Sequence, residues 1–184
     1  MPTIFTHPVI AVGLSPWFKQ IRDSRLLLFT GIVLTVLPDA DVIMFRFGIP
    51  YNHLFGHRGF THSIFFALII SGLITWFFVH RHQLKWVPVW LFLFLCTMSH
   101  GLLDMLTNGG KGVALFSPFS NERFFFDFQP IEVSTLSIRR FLDGQGVKVI
   151  LTELKWIWLP CLFILAVGWF FKRTKESAKI HNKK

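Results

Sequence analysis

Apolar and polar residues along this chain are grouped in long blocks rather than in the short alternations of a soluble domain. Four or five blocks are apolar over lengths near the roughly 20 residues with which a helix crosses a hydrocarbon core. The first block is short and is interrupted by Pro8 and Pro16, so it is a weak span or a partly embedded helix. The pattern predicts helices at about 4–18, 26–47, 62–79, 86–106 and 156–171.

Segment 107–155 has no such block and reads as a cap at the end of the helices. It contains the turn sequence NGGKG at 108–112 and the aromatic run FFFDF at 124–128. Turn residues beside short aromatic runs predict a hairpin or short strands around 122–135, and then a linker into the last helix.

The composition agrees with a membrane protein, because 52% of the residues are hydrophobic, 17% are aromatic and only 16% are charged. We predict an all-α integral membrane protein with four to five transmembrane or partly embedded helices. Residues 1–171 form a single membrane-embedded domain, and residues 172–184 form a basic tail. Cys96 and Cys161 lie in apolar blocks without a CxxC spacing, which predicts packing rather than a disulfide or a thiolate metal site.

The basic residues lie between and after the apolar blocks. A net charge of +9 would suggest nucleic acid as the partner of a soluble protein, but here membrane orientation accounts for it, so no nucleic-acid partner is predicted. The clusters at 19–25, 81–85 and 172–179 share one side of the membrane in a single arrangement. In that arrangement loop 48–60 and segment 107–155 lie outside with the N-terminus, and the basic tail is cytoplasmic.

A few ionisable residues interrupt the apolar blocks, and they share one depth. Counting helix rise from the cytoplasmic cations puts them about 18–30 Å above that side, in the outer half of the membrane. Ionisable residues inside a membrane are costly and mark functional sites by default. We therefore predict one site near the outer face. Its residues are His7, Asp39, Asp41, His62, His100 and Asp104, with His57 just before its helix.

Two pairs have the spacing of metal ligands. His100 and Asp104 are four residues apart on a helix, with Cβ atoms about 5–6 Å apart, which suits one cation or two adjacent cations. Pro38 interrupts the helix before Asp39, so Asp39 and Asp41 are predicted on non-helical backbone from which both can turn inward. Taken alone, the first pair could be a buried hydrogen-bonded pair and the second a helix cap.

The stretch HRGFTHS, residues 57–63, stands before a long apolar run. Gly59 permits a sharp turn between His57 and His62, and the threonine or serine of the stretch can cap the following helix. The stretch is therefore predicted to fold two imidazoles toward the other ligands.

These motifs, in this order and at these intervals, resemble one family. They are TH at 6–7, LPDAD at 37–41, FGHRGFTHS at 55–63 and SHGLLDMLT at 99–107. The chain resembles the membrane-bound metal-dependent hydrolase family of bacteria, the YdjM-like inner-membrane proteins. HRGFTHS is the most specific motif, and the resemblance extends to about residue 140.

The resemblance implies a helical protein of the bacterial inner membrane with a divalent-metal site and hydrolase chemistry. It also implies a distant similarity to zinc-dependent phospholipase C. The histidine and aspartate positions of the family map onto His7, Asp39, Asp41, His57, His62, His100 and Asp104 in this sequence.

Nitrogen and oxygen donors without a thiolate suit zinc, with manganese or magnesium as alternatives, and there are enough donors for one or two ions. A two-ion centre would suit phosphoester hydrolysis. Arg58 is predicted to be catalytic as the partner of a phosphate oxyanion, with a head-group anchor as the alternative. Asp41 and Glu132 are the other predicted catalytic residues, and Asn108 and Asp127 also lie on the cap.

The predicted function is metal-dependent hydrolysis of a phosphoester in a lipid or lipid-linked substrate, so the predicted partners are membrane lipids. A membrane metallopeptidase is an alternative that lacks an HExxH helix. An ion or proton transporter could use the same His/Asp cluster as a relay. Residues 26–34 and 87–95, however, offer no polar path to the cytoplasmic side.

Overall fold

The computed structural model describes residues 1–134 and 144–181, with side chains to residue 174. Cap residues 135–143 and tail residues 182–184 lie outside this description. The described residues form an all-α membrane protein, as predicted. Its α-helices are α1 Pro8–Leu14, α2 Lys19–Arg22, α3 Arg25–Val36, α4 Ile64–His82, α5 Trp86–Met105, α6 Gly146–Glu153 and α7 Leu159–His181. The 3₁₀-helices are Ser15–Trp17, Leu37–Phe47 and Phe60–His62, and a π-helical turn covers Leu154–Trp158.

Among the described residues, four stretches are long and apolar enough to cross a membrane. A shorter apolar helix, Pro8–Trp17, is about 15 Å long, roughly half of the hydrocarbon core. This length agrees with a partly embedded first helix. The four candidate spans are Arg25–Phe47, Ile64–His82, Trp86–Met105 and Gly146–Thr174.

The last span begins ten residues before its predicted start at 156, so the predicted linker is wrong from Gly146 onward. The charged residues Lys148, Glu153 and Lys155 conceal the apolar character of this stretch in the sequence. In the helix Val149 and Glu153 face the protein interior, whereas Val147 and Leu151 are exposed. The same helix continues to His181, through most of the segment predicted as a tail.

The hairpin predicted around 122–135 is not formed in the described part of the cap. Two single bridges replace it, an antiparallel one between Val113 and Phe124 and a parallel one between Thr107 and Ile131. Arg123 lies beside the antiparallel bridge, and its guanidinium donates to the carbonyls of Tyr51, His57, Arg58 and Gly112. Its side chain thus joins this part of the cap to the loop before α4 by satisfying backbone carbonyls.

Helix α5 is central: it packs against α3 and α4, while α1 packs against α3 and α7. The core between these helices is apolar and includes Leu27, Leu34, Phe92 and Cys96, all at most 1% exposed. Above this core the end of α3, the start of α4 and the end of α5 meet. We call this the site end of the bundle.

Candidate metal centre

The LPDAD motif begins where α3 changes its winding. Pro38 removes an α-helical hydrogen bond, and α3 ends at Val36. The chain then continues as a 3₁₀-helix, Leu37–Phe47, and not as the non-helical backbone predicted. With three residues per turn, neighbours two apart point in different directions. Asp39 therefore faces α5, whereas Asp41 faces the HRGFTHS loop.

The HRGFTHS stretch makes the predicted turn in a different way from the one expected. The left-handed residue is Arg58, with φ of 60°, rather than Gly59. Gly59 is needed for close packing, because a Cβ there would collide with the carbonyl oxygen of Leu54. The Ser63 hydroxyl accepts from the Phe66 amide at 3.1 Å, so the predicted cap of α4 is present. The turn directs His57 and His62 inward.

The SHGLLD motif occupies the last turns of α5. His100 and Asp104 are completely buried on the same face. Between them Gly101 lets α5 approach the HRGFTHS loop, since a Cβ at this position would lie 2.7 Å from the carbonyl oxygen of His62. The absence of a side chain therefore brings His62 within reach of both α5 residues.

Asp39, His62, His100 and Asp104 converge at the site end, and we call them the four-residue group. His100 Nε2 lies 3.2 Å from Asp39 Oδ1. His62 Nε2 lies 3.6 Å from Asp39 Oδ1 and 3.6 Å from Asp104 Oδ2. One donor atom from each residue lies within 4.8 Å of all the others. None of these atoms makes a hydrogen bond in the described part of the chain, although Asp104 Oδ2 forms an ion pair with Arg58 Nε.

These spacings fit a metal ion. Zinc bonds to nitrogen and oxygen are about 2.0–2.2 Å long, which puts the corners of a tetrahedral site about 3.4 Å apart. Three donor–donor distances in the four-residue group, at 3.2–3.6 Å, bracket that value, and all lie within 4.8 Å. Buried polar atoms ordinarily have partners, and here a cation would supply them. The four-residue group could therefore hold a metal ion.

The second nitrogen of each ring is held by the protein. His100 Nδ1 donates to the carbonyl oxygen of Thr35 at 2.7 Å, and His62 Nδ1 donates to Thr61 Oγ1 at 3.0 Å, beside Asp41 Oδ2 at 3.2 Å. Such contacts fix the tautomer and leave Nε2 as the atom that could bind a metal ion.

A second set, formed by Asp41, His57 and His62, also has donor atoms close together. The Asp41 carboxylate is already occupied, however. It accepts from His57 Nδ1 at 2.7 Å, from the Arg58 amide at 3.1 Å and from Thr61 Oγ1 at 2.7 Å. As a hydrogen-bond acceptor, Asp41 therefore orients His57 directly and His62 through Thr61, whose Oγ1 lies 3.0 Å from His62 Nδ1.

Arg58 is 1% exposed, and its guanidinium contacts protein atoms on each side. Its Nε lies 2.9 Å from Asp104 Oδ2. Nη1 donates to the carbonyl oxygen of Gly109 at 2.9 Å, and Nη2 donates to Thr107 Oγ1 at 3.2 Å. A head-group anchor would be exposed, so that alternative is not supported. The catalytic role of Arg58 stays a prediction.

His7 lies beside the four-residue group rather than in it. Its ring stacks on that of His100, with centroids 3.9 Å apart and planes 13° apart. Both ring nitrogens are buried without a hydrogen-bond partner in the described residues. Burial holds the pKa of His7 well below its ordinary value, so the ring is neutral. The role of His7 as a ligand stays a prediction.

The cap residues predicted to assist catalysis lie outside both sets. Asp127 and Asn108 are exposed, and Asn108 Oδ1 accepts from the Val133 amide at 3.0 Å. Glu132 is half-buried, and its amide donates to Thr152 Oγ1. The catalytic role of Glu132 therefore stays a prediction without a contact to the four-residue group.

Sequence reasoning missed Glu153, which is 2% exposed at the end of α6. Its carboxylate accepts hydrogen bonds from the hydroxyls of Thr3 and Thr6. The available signal was the apolar sequence VKVILTELKWIW around it, which indicates a helix rather than a cap. Because residues 107–155 were assigned to the cap, Glu153 was not predicted to be a buried helical residue.

These features define an all-helical, multi-pass membrane protein with buried histidines and aspartates that could hold a metal ion. The chain belongs to the YdjM inner membrane protein family, whose family model matches residues 1–176. It is 42% identical over 175 residues to the inner membrane protein YbcI of Escherichia coli (strain K12), covering 94% of this chain and 100% of that relative. No solved structure matches the chain. Membership confirms the predicted resemblance to YdjM-like proteins and supports a multi-pass location in the inner membrane.

Proposed function

We propose that this protein is a divalent-metal-dependent hydrolase that cleaves a phosphoester of a lipid or lipid-linked substrate. The observation that carries the proposal is the four-residue group, in which two imidazoles and two carboxylates each bring one donor atom within 4.8 Å of the others, and these atoms make no hydrogen bond in the described part of the chain. Burying polar groups that make no hydrogen bond is costly, and a divalent cation would offset that cost. Two nitrogen and two oxygen donors favour zinc.

The geometry of the site favours one bound ion over two. The hydrogen bond of 2.7 Å between His57 Nδ1 and Asp41 Oδ1 leaves no room for a cation between these atoms. Asp41 is also engaged by Arg58 and Thr61. We therefore assign the ion to the four-residue group, and we assign to Asp41 the role of orienting His57 and His62.

His57 is a better general base than Asp41 or Glu132. Asp41 holds the Nδ1 side of the ring, which leaves the second ring nitrogen to accept a proton. A bound divalent ion would act as a Lewis acid and would lower the pKa of a water molecule. A carboxylate that orients an imidazole also stabilises the imidazolium formed when the proton is taken up. The Asp41–His57 pair thus supplies the proton acceptor that hydrolysis requires.

An apolar surface beside the site supports a lipid substrate. Phe119 of the cap is 83% exposed, and its ring lies 5.4 Å from that of Phe65 in the first turn of α4. Exposed Leu73 and Phe77 continue this surface along α4, which is a candidate membrane span. The same cap segment is attached to the site, because the Ala114 amide donates to the Arg58 carbonyl at 2.9 Å. A substrate held by its acyl chain could therefore approach sideways from the lipid.

The packing beneath the site argues against the transporter alternative. Leu34, Phe92 and Leu93 are at most 1% exposed and lie in the core between the helices. A relay needs a chain of polar groups or water through the membrane, and this core interrupts it. Ion movement would require the helices to separate.

For orientation, we propose that the site end faces outward. The cations at 19–25, 81–85 and 172–173 would then all be cytoplasmic, in keeping with the positive-inside rule. A membrane-impermeant maleimide is expected to label Lys111→Cys in intact cells, but His82→Cys and Arg173→Cys only after lysis. All three positions are exposed. The native Cys96 and Cys161 are buried, which keeps the background low.

The parent protein without an introduced cysteine is the control. Labelling of His82→Cys in intact cells together with protection of Lys111→Cys would reverse the orientation. The site would then face the cytoplasm, and the proposal for an outer-leaflet substrate would be wrong.

The test of the proposed activity is hydrolysis of a panel of phospholipids and polyprenyl phosphates by purified protein with and without zinc. We expect release of a head group or phosphate that depends on zinc and that is lost in Asp39→Asn. His82→Ala, at the opposite end of α4, is the matched control and should retain activity. Zinc-loaded protein that cleaves no member of the panel would contradict the phosphoester assignment. Cleavage of peptides by the same preparation would favour the metallopeptidase instead.

A further inference from the structure

We propose that Glu153 is a positioning residue for the metal site. It fastens residues 3–6 to the last candidate span and thereby holds the ring of His7 against His100. The inference rests on the proposed metal site, because its consequence is a change in metal affinity. It assigns a function to a buried acid that hydrolysis itself does not use.

The contacts of Glu153 are unusually complete for a carboxylate in a candidate membrane span. Thr3 Oγ1 donates to Oε2 at 2.7 Å, and Thr6 Oγ1 donates to the same oxygen at 2.6 Å. The Thr3 amide donates to Oε1. Hydrogen bonds to a charged acceptor are stronger than neutral ones, and burial at 2% exposure strengthens them further. Glu153 thus binds the start of the chain at three points.

The π-helical turn after Glu153 adds a fourth contact. Residues five apart on an α-helix point about 140° away from each other. A π-helical turn has hydrogen bonds from i to i+5, and it brings such residues toward the same side. Glu153 and Trp158 are five apart across the turn Leu154–Trp158, and Trp158 Nε1 donates to Thr6 Oγ1 at 2.9 Å. Both side chains therefore hold the hydroxyl of Thr6.

The position of His7 depends on this attachment. Its ring nitrogens make no hydrogen bond in the described part of the protein, so no polar contact of its own fixes the ring. It directly follows Thr6, which is 1% exposed, and it precedes α1. The ring is therefore located by the backbone on either side and by stacking on His100. Releasing Thr6 would release one of these supports.

The effect reaches the four-residue group through His100. Its Nδ1 is tied to Thr35, while one face of its ring packs on His7. Together these contacts direct Nε2 toward Asp39, 3.2 Å away. Groups that orient a ligand without touching the metal typically contribute 10–100-fold to affinity, and we expect about that loss when Glu153 no longer holds Thr3 and Thr6.

The first measurement is zinc affinity of the full-length protein in detergent, by competition with a chelating dye. Glu153→Gln is expected to bind zinc about 10–100-fold more weakly than the wild type, whereas Glu122→Gln, an exposed glutamate, should not change. Glu153→Gln and His7→Ala should not add when combined, because both act through the same ring. Additive losses would show that Glu153 acts independently of His7 and would overturn the proposal.

Thr3→Val serves as a milder variant should Glu153→Gln fail to fold, since it removes only the contacts of one hydroxyl. We expect it to weaken zinc binding in the same direction with little change in thermal stability. Equal zinc affinity of Thr3→Val and wild type would then overturn the inference.

A second readout does not need the metal. Diethyl pyrocarbonate modifies accessible neutral imidazoles, and peptide mass spectrometry locates the modified residue. His7 should be protected in the metal-free wild type and in Glu122→Gln, but modified in Glu153→Gln and, more slowly, in Thr3→Val. Unchanged protection of His7 in both variants would overturn the inference. If the wild type binds no zinc, the proposed metal site fails, and this readout still decides whether Glu153 positions His7.

Discussion

Replacing His100 or Asp104 with alanine is expected to strip zinc from the purified protein. Each residue supplies one of four buried donors, and its loss leaves the cation with three protein ligands and a cavity beside them. Because substitutions outside the ligand set already cost 10–100-fold, we expect a loss on the order of 10²-fold or more. Elemental analysis after gel filtration, together with titration by a chelating dye, measures it.

His82→Ala is the control for these variants, since His82 is an exposed histidine at the far end of α4. It should keep the zinc content of the wild type. The zinc affinity of Asp41→Asn should lie between those of the alanine variants and His82→Ala, because Asp41 helps to orient His62 from 3.2 Å away. Full zinc retention in both His100→Ala and Asp104→Ala would show that the four-residue group is not the metal site.

The sequence predicts the spans of this protein well because span length is a property of composition. Apolar runs near 20 residues predict α4 and α5 within a few residues of their observed bounds. Helix rise then predicts that residues distant in sequence share one depth, and Asp39, His62 and His100 do meet at the site end. The start of the last span was predicted wrongly because three charged residues interrupt its apolar pattern.

The roles of the individual site residues cannot be predicted from the sequence in the same way. Asp39 and Asp41 are equivalent in sequence, and the helical winding of Leu37–Phe47 sends them to different partners. The support of His100 is the carbonyl oxygen of Thr35, a backbone group that every residue type carries. A list of histidines and aspartates therefore omits the groups that hold them.

The contacts of Arg58, a predicted catalytic residue, were likewise not predictable from the sequence. A guanidinium beside two histidines suggests an oxyanion partner, because its planar fork matches a phosphate. In the structure the fork is directed at Asp104, Gly109 and Thr107. These contacts join the HRGFTHS loop to the end of α5 and to the cap. The side chain therefore has a structural function whether or not it also meets a substrate.

Replacing Arg58 with alanine is expected to destabilise the metal-free protein by about 3–5 kcal/mol, the usual cost of leaving one partner of a buried ion pair uncompensated. Asp104, at 0% exposure, would keep its charge and lose the guanidinium 2.9 Å away. Zinc should restore part of this loss, because a cation in the four-residue group neutralises the same carboxylate. Unfolding in detergent, followed with and without zinc, measures both effects.

The matched test is a double-mutant cycle with Asp104→Asn, which removes the charge and keeps the shape of the side chain. The double variant should be destabilised by less than the sum of the two single variants, because Asp104→Asn removes the carboxylate charge that Arg58→Ala leaves uncompensated. Arg58→Lys should recover only part of the stability, since one ammonium cannot replace three contacts of a planar fork. Strict additivity of the two substitutions would show that the Arg58–Asp104 pair does not stabilise the protein. If Arg58→Lys instead kept stability and zinc but lost turnover by about 10²–10³-fold, Arg58 would act on the phosphate, as the sequence alone suggests.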